Sequence, residues 1–159
     1  MANVFNIAEI VDMGIEKEKR RRDFYAQVAD HFKEKELKEL FAQLSNWEEM
    51  HVEKFTQIRN SIDEVETTES SVGEIASYMN ALVEEELYKD TLPGNFAKKI
   101  TTPLSAIQYA MGFEKDAIMF FSNLLKFLDS HNKEAVVKLI DEEKQHLVYL
   151  YQLKVKISR

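Results

Sequence analysis

Apolar residues recur at helical spacing along most of the chain, and this pattern predicts a protein built almost entirely of α-helices. A first apolar stripe runs from Ile7 to Phe32, and a second runs from about Leu37 to Ile58. Only the short charged stretch HFKEKE lies between them, so the two helices should pair antiparallel as a hairpin. Four glycines and two prolines in the whole chain favour long, uninterrupted helices.

The second half of the chain predicts another hairpin. Thr102 followed by Pro103 has the pattern of an N-cap and a first helical position, and this helix should continue to about Leu128. A fourth helix is expected from about Lys133 to Lys156. The two hairpins are joined by a crossover of roughly forty residues, which is the connectivity of bundles with one long crossover.

The crossover should carry a short helix of its own. After the polar stretch DEVETTESS, Ser71 with Glu74 resembles a capping box that opens the helix VGEIASYMNALVEEELY. Asn6 with Glu9 gives the same signal at the start of the first helix. The sequence LPG at residues 92–94 should then end the crossover helix region. The fold class predicted is therefore all-α, a four-helix bundle in a single domain over residues 1–159.

Charge and composition narrow the possible partners and location. The 21 basic and 28 acidic residues give a net charge of −7, which argues against binding to nucleic acid or to an anionic membrane. The absence of cysteine excludes disulfides, thiolate metal sites and iron–sulfur ligation within this sequence. The N-terminus lacks the basic and then apolar pattern of a signal peptide, and no long apolar run follows. We therefore expect a cytoplasmic protein.

Each of the four long helices places a glutamate on the apolar stripe, where a core residue would be expected. Glu48 follows Leu44 on the second helix, and His51 comes three residues later on the same face. Glu49, by contrast, should face solvent. The fourth helix repeats the Glu-x-x-His pattern, and the full set of candidate ligands is Glu18, Glu48, His51, Glu114, Glu143 and His146.

Four buried carboxylates require compensating charge, because each unpaired buried ion costs at least several kcal/mol. Two divalent cations would balance four carboxylates with two neutral imidazoles. The spacing of Glu and His brings an oxygen and a nitrogen from one helix to the same ion. A ligand set of carboxylate and imidazole without thiolate suits iron or manganese better than structural zinc.

The candidate ligands also form an internal repeat. Glu18 precedes Glu48 by 30 residues, and Glu114 precedes Glu143 by 29. An aromatic pair follows each first glutamate at the same offset, FY at residues 24–25 and FF at residues 120–121. Two similar hairpins related by a pseudo-twofold axis would build one site, with half of it from each hairpin.

The pattern E-x5-F-Y, E-x-x-H, E-x5-F-F, E-x-x-H resembles the ferritin-like di-iron carboxylate superfamily over essentially the whole chain. The short extra helix of the crossover is similar to that of the erythrin domain of rubrerythrin-type proteins. The resemblance implies that Glu18 and Glu114 are terminal carboxylates, one for each iron. It implies that Glu48 and Glu143 bridge the metals, and that each iron is capped by one histidine, His51 or His146.

This resemblance implies a non-haem di-iron oxidoreductase that reduces hydrogen peroxide or dioxygen. The cofactor would be two iron ions, with an iron–manganese or dimanganese pair as alternatives. With no rubredoxin-like domain in the sequence, we expect a separate electron-donor protein such as a rubredoxin, and we expect a homodimer. The alternatives are a ferroxidase or iron-handling protein, and a non-catalytic helical interaction module.

Two positions depart from the rubrerythrin pattern. Rubrerythrin carries an additional glutamate three residues after the first glutamate of the third helix, and here that position is Ala117. The resemblance therefore does not extend to the ligand exchange linked to that glutamate. Arg21 occupies the position in the first hairpin that corresponds to Ala117. It could pair with Glu18, narrow access to the metals, or extend outward to solvent.

Other polar and aromatic residues have simpler interpretations. His31 and His131 lack the preceding glutamate and should be surface residues. Core packing is the expected role of the aromatic residues near the site, rather than hydrogen bonding to ligands or electron relay. These residues are Tyr25, Trp47, Tyr109, Tyr149 and Tyr151. Glu86 shares a stripe with apolar residues of the crossover helix and is kept as an additional candidate ligand or gate.

Overall fold

The computed structural model describes residues 7–62, 77–78, 81 and 93–159. Five α-helices and one 3₁₀ turn account for nearly all of them. The helices are α1 (Ile7–His31), α2 (Lys35–Ser61), α3 (Pro93–Lys99), α4 (Pro103–Leu124) and α5 (Ser130–Ile157), and the 3₁₀ turn is Leu125–Phe127.

The long helices form the two predicted hairpins. Three residues, 32–34, connect α1 to α2, and this short link makes the two helices antiparallel neighbours. In the same way α4 packs along α5, and the hairpins meet where α1 contacts α4 and α2 contacts α5. The predicted all-α bundle of two helical hairpins is confirmed.

Two helix boundaries of the second hairpin differ from the prediction. We predicted a start of α5 near Lys133, but the helix begins at Ser130 because Asp129 caps it, its carboxylate accepting a hydrogen bond from the Asn132 backbone N–H at 2.8 Å. The preceding helix α4 ends at Leu124 rather than near Leu128, because the chain tightens into the 3₁₀ turn before α5.

Helix α3 is absent from the sequence-based prediction, in which LPG marked only the end of a region. Pro93 instead begins a helix, consistent with the preference of proline for the first helical position. Phe96 on this helix and Ile100 just after it are buried. The ring of Phe96 meets the edge of Phe24 on α1, with centroids 5.9 Å apart. The short helix therefore closes one end of the bundle.

The predicted crossover helix lies almost entirely outside the described residues. Ser77, Tyr78 and Ala81 are described, and all three are helical and exposed. The remaining positions singled out in this region and at the N-terminus lie outside the described residues, namely Asn6, Ser71, Glu74 and Glu86.

The core consists of two hydrophobic clusters with a polar layer between them. One cluster is built around Val11, Phe55, Phe120 and Val136, and the other lies at the opposite end of the same four helices. The candidate ligands fall between the two clusters on every long helix. The apolar clusters therefore separate this layer from the two ends of the bundle and lower its local dielectric.

Among the helices of the described residues, none has a stretch long and apolar enough to cross a bilayer.

The start of α4 provides a test of the local interactions that define the fold. The Thr102 hydroxyl accepts a hydrogen bond from the Ser105 N–H at 3.1 Å, and the Ser105 hydroxyl accepts one from the Thr102 N–H at 3.0 Å. Thr102→Ala should lower the free energy of unfolding by about 1 kcal/mol. Urea denaturation followed by circular dichroism measures this change. Thr102→Ser and the exposed neighbour variant Thr101→Ala should stay within about 0.5 kcal/mol of the parent. Equal midpoints for all four proteins would contradict the capping role.

Candidate metal centre

The structure brings the six predicted ligands together in the polar layer. Each of the four glutamates is fully buried, and the two histidines are 3% and 4% exposed. They form two groups of potential ligands whose oxygen and nitrogen atoms lie within 4.8 Å of one another. The first group is Glu18, Glu48, His51 and Glu143, and the second group is Glu48, Glu114, Glu143 and His146.

Glu48 and Glu143 belong to both groups and lie between the two histidines. Glu143 accepts hydrogen bonds from Nδ1 of His51 at 2.9 Å and from Nδ1 of His146 at 3.0 Å. Glu48 lies 3.4 Å from the same nitrogen of each histidine. Both imidazoles therefore present Nδ1 to the shared carboxylates.

The remaining two glutamates each belong to one group. Nδ1 of His51 lies 3.6 Å from Glu18, and Nδ1 of His146 lies 3.5 Å from Glu114. This arrangement has the pseudo-twofold symmetry expected from the repeat, since each histidine faces the shared pair and the first glutamate of one hairpin.

Several carboxylate oxygens of this layer lack a hydrogen-bond donor within the described part of the chain. They are both oxygens of Glu48 and one oxygen each of Glu18 and Glu114. A buried anionic acceptor without a donor is costly, and a coordinated cation would satisfy it. Because the ligand set contains carboxylates and imidazoles and no thiolate, the residues fit iron or manganese.

Arg21 is fully buried within the first group, so it neither reaches solvent nor lies at the rim. Its Nη2 donates to Glu18, and the guanidinium lies 3.9 Å from a Glu48 oxygen and 3.8 Å from a Glu143 oxygen. Of the possibilities considered for this arginine, pairing with Glu18 is therefore the one observed.

Tyr25 differs from the expectation of core packing alone. Its ring is buried beside Phe24 and Phe41, but its hydroxyl also donates to Glu114 at 2.7 Å. Burial, together with the charges of Glu114 and Glu48, raises the pKa of Tyr25 well above its usual range and keeps this donor protonated. The Glu-x6-Tyr spacing places Tyr25 two turns after Glu18, but the contact with Glu114 crosses to the other hairpin, which spacing cannot reveal.

Without metal, the layer is held together by protons. Burial opposes charge on the histidines, but the neighbouring carboxylates raise the pKa of both His51 and His146 to about 11. Burial and the charges of Glu143 and Glu48 raise the pKa of Glu114 well above its usual range. Burial alone would raise the pKa of Glu143, but the charge of His51 and the hydrogen bond from His146 lower this pKa well below its usual range. Metal ions would have to displace these protons, so binding should be coupled to proton release.

Glu142 is a residue near the site that the sequence did not reveal. Its half-exposed carboxylate accepts a hydrogen bond from Nε2 of His51 at 2.7 Å. Metal-ligating histidines usually donate their second nitrogen to such an acceptor, which fixes the orientation of the ring. Nδ1 of His51 is thereby left to face Glu143 and the rest of the layer.

A stack of aromatic rings leads from the site to the surface. Trp47 lies against His146 with centroids 5.0 Å apart and planes within 9°, and Tyr149 stacks on Trp47 with centroids 5.7 Å apart. His51 stacks on His146 at 5.4 Å. These residues line an open pocket of about 260 Å³ together with Met50, Glu142 and Gln145. Trp47 and Tyr149 thus line the approach to the histidines. Trp47 also packs against one of the hydrophobic clusters, as expected, whereas Tyr149 is exposed.

A second buried ion pair lies beside the site. Lys17 donates to Asp116 at 2.8 Å across the α1–α4 contact, and both side chains are almost fully buried. The Lys17 ammonium also lies 4.9 Å from the centre of the Phe120 ring. This pair joins the two hairpins next to Glu18 and Glu114, and its formation depends on a contact between helices that residue spacing does not specify.

Other residues that the sequence singled out lie outside the ligand layer. Glu49 is half-exposed and pairs with Arg22 at 2.6 Å, so the helix phase that separated it from Glu48 is confirmed. His31 and His131 are exposed, as predicted. Tyr151 is 56% exposed, so core packing is wrong for it, whereas Tyr109 packs against one of the hydrophobic clusters.

Comparison with models of known protein families gives a match over most of the chain. A family model described as Rubrerythrin matches residues 9–154, which is nearly the whole chain. Comparison with curated proteins and with solved structures gave no match. The family match agrees with the helical bundle and with the buried carboxylate and histidine groups. The chain therefore belongs to the rubrerythrin family, whose members are ferritin-like bundles that bind non-haem iron.

Proposed function

We propose that this protein is a non-haem di-iron oxidoreductase that reduces hydrogen peroxide or, alternatively, dioxygen. The observation that carries the proposal is that two ligand groups share Glu48 and Glu143. Two adjacent groups with common carboxylates suit a pair of ions that act together on one small oxidant. The fit of carboxylate and imidazole to iron supports the same assignment, with iron–manganese or dimanganese as the other pairs that suit these ligands.

Two ferrous ions held by these residues would supply the two electrons that convert one hydrogen peroxide, with two protons, into two waters. Glu48 and Glu143 would bind both ions, while Glu18 and Glu114 would each bind one. His51 would be oriented by its hydrogen bond to Glu142, and Glu114 would be oriented by Tyr25.

The surroundings of the layer favour a small oxidant over a large substrate. The hydrophobic clusters above and below the layer exclude water from two sides. The open pocket beside Trp47 and Met50 has a volume of about 260 Å³ and reaches both histidines. A molecule the size of peroxide or dioxygen would have access through this pocket.

The electrons that restore the ferrous ions would come from a separate donor protein such as a rubredoxin, since this chain contains no cysteine for an iron–sulfur site. We further propose that the protein works as a cytoplasmic homodimer. A dimer by light scattering would agree with this proposal, and a large closed assembly would favour iron storage.

Ferrous oxidation and iron handling form the second candidate function, and Glu142 is the observation that favours it. Its half-exposed carboxylate lies in the open pocket and contacts His51 directly. An exposed carboxylate at the mouth of a metal site can attract ferrous ions from solution and transfer them inward. In that case dioxygen would be the preferred oxidant.

The reaction of anaerobic ferrous protein with hydrogen peroxide separates these candidates. Stopped-flow absorbance should show rapid ferric formation, with about two ferrous ions oxidised per peroxide, because each peroxide accepts two electrons. Glu48→Gln should slow the reaction by about tenfold or more, because the shared ligand loses its charge.

The matched control for this reaction is Glu49→Gln, which removes the same charge from the adjacent exposed position and should react as the parent does. Fast reaction with dioxygen and slow reaction with peroxide would replace the peroxidase proposal with ferrous oxidation. Rates no faster than those of free ferrous ions would reject both.

Metal binding should also stabilise the fold, because the ions bind the assembled layer and not the unfolded chain. Manganese(II) at about 100 times its dissociation constant should add about 2.7 kcal/mol. For a chain of this size, this corresponds to a rise in melting temperature of roughly 5–10 °C. Differential scanning fluorimetry at increasing Mn²⁺ measures it.

The same pair of variants controls this thermal measurement. Glu48→Gln should lose most of the manganese-dependent rise, and Glu49→Gln should retain it. If the parent protein gains no stability from manganese or from anaerobic ferrous iron, the chain is better described as a non-catalytic helical interaction module.

A further inference from the structure

The two ligand groups differ in what contacts their unshared glutamate. In the first group, Glu18 accepts an ion-paired hydrogen bond from the buried guanidinium of Arg21. In the second group, Glu114 accepts a hydrogen bond from the neutral hydroxyl of Tyr25 at 2.7 Å. Each of these glutamates also lies near Nδ1 of its histidine, at 3.6 Å for Glu18 and 3.5 Å for Glu114, so the contact that distinguishes them is the permanently charged guanidinium of Arg21 on Glu18.

The difference between the two groups follows from a substitution between the two copies of the repeat. Glu18 and Glu114 are equivalent positions, and the position equivalent to Arg21 is Ala117. Ala117 is fully buried and belongs to one of the hydrophobic clusters, so it brings no charge to the second group. Within the pseudo-symmetric layer, the arginine therefore belongs to one half alone.

Arg21 also reaches beyond Glu18. Its guanidinium lies 3.9 Å from Glu48 and 3.8 Å from Glu143, the two carboxylates that both groups share. A guanidinium remains charged at all physiological pH values, and charge repulsion is strong in a buried layer. A divalent ion entering the first group must therefore compete with a fixed positive charge for Glu18.

The charge balance of the layer leads to the same result. Four carboxylates balance two divalent ions, but the charge of Arg21 is then left uncompensated. With neutral imidazoles, the four carboxylates and Arg21 together carry a charge of −3, and the first divalent ion reduces it to −1. The second ion is therefore attracted less strongly than the first, and it leaves the layer with a charge of +1.

We propose that the centre binds its two divalent ions unequally. The group of Glu48, Glu114, Glu143 and His146 is the high-affinity position. The group containing Glu18 and His51 is a low-affinity position. It binds an ion only when the ion pair between Arg21 and Glu18 is broken. This inference rests on the proposed two-ion site. Its consequence is that Arg21 sets the ferrous concentration above which chemistry requiring two ions can begin.

Trp47 provides a built-in reporter for the order of filling. It is the only tryptophan of the chain, and its ring stacks on His146, a ligand of the proposed high-affinity group. Cobalt(II) quenches nearby tryptophan fluorescence, so the first equivalent bound should cause the larger part of the quenching.

The experiment is an anaerobic titration of the full chain with cobalt(II), followed by calorimetry and by Trp47 fluorescence. The parent protein should bind one ion tightly and a second about 100-fold or more weakly. Arg21→Gln should narrow this ratio by about tenfold or more, because the competing charge is removed. Arg20→Gln removes the same charge from the exposed surface of α1 and should leave the ratio unchanged.

Two ligand variants test which group fills first and do not depend on the folding of the Arg21 variant. Glu18→Gln should keep the tight step and its fluorescence change, whereas Glu114→Gln should abolish the tight step. Equal affinities in the parent protein, or loss of the tight step in Glu18→Gln, would overturn the inference while leaving the two-ion site intact. A parent protein that binds no cobalt would instead reject the proposed function itself.

Discussion

The structure depends on one electrostatic constraint, which is that four carboxylates are buried in a single layer between two hydrophobic clusters. Each such ion costs several kcal/mol unless positive charge accompanies it. Arg21 and two protonated histidines provide that charge within the chain, yet four carboxylate oxygens still lack a donor within the described residues. A purely structural core would have no need for this arrangement, because apolar side chains of similar volume would be at least as stable. The layer is therefore best explained as a site for cations.

The repeat makes the ligands of the two hairpins equivalent, but the residues around these ligands differ between the two halves of the site. The shared pair Glu48 and Glu143 faces both histidines through the same ring nitrogen. Around this symmetric centre, the charged Arg21 is on one side and the neutral Tyr25 is on the other. A repeated hairpin thus supplies the common chemistry, and substitutions between its copies allow the two halves to acquire different affinities and different access.

Helical periodicity predicted the fold and the positions of the six candidate ligands, because both follow from which face of a helix a residue occupies. The separation of Glu48 from Glu49 is the clearest case, with one fully buried and the other half-exposed. What periodicity could not predict are contacts between helices, such as Glu142 with His51, since they depend on how the helices are rotated against each other. The sequence also could not predict whether the Arg21 side chain extends into the buried layer or outward to solvent, because a long side chain can reach both from the same backbone position.

Anomalous diffraction from crystals grown with ferrous iron under anaerobic conditions would show directly whether the buried layer holds metal. Anomalous density is expected between Glu48 and Glu143, with Nδ1 of His51 or His146 as the nitrogen ligand. Density in the group containing Glu114 should be the stronger of the two, because Arg21 opposes the other ion. Iron found only at surface carboxylates, with the Arg21–Glu18 pair and both histidines unchanged, would contradict the claim that the buried layer is a metal centre.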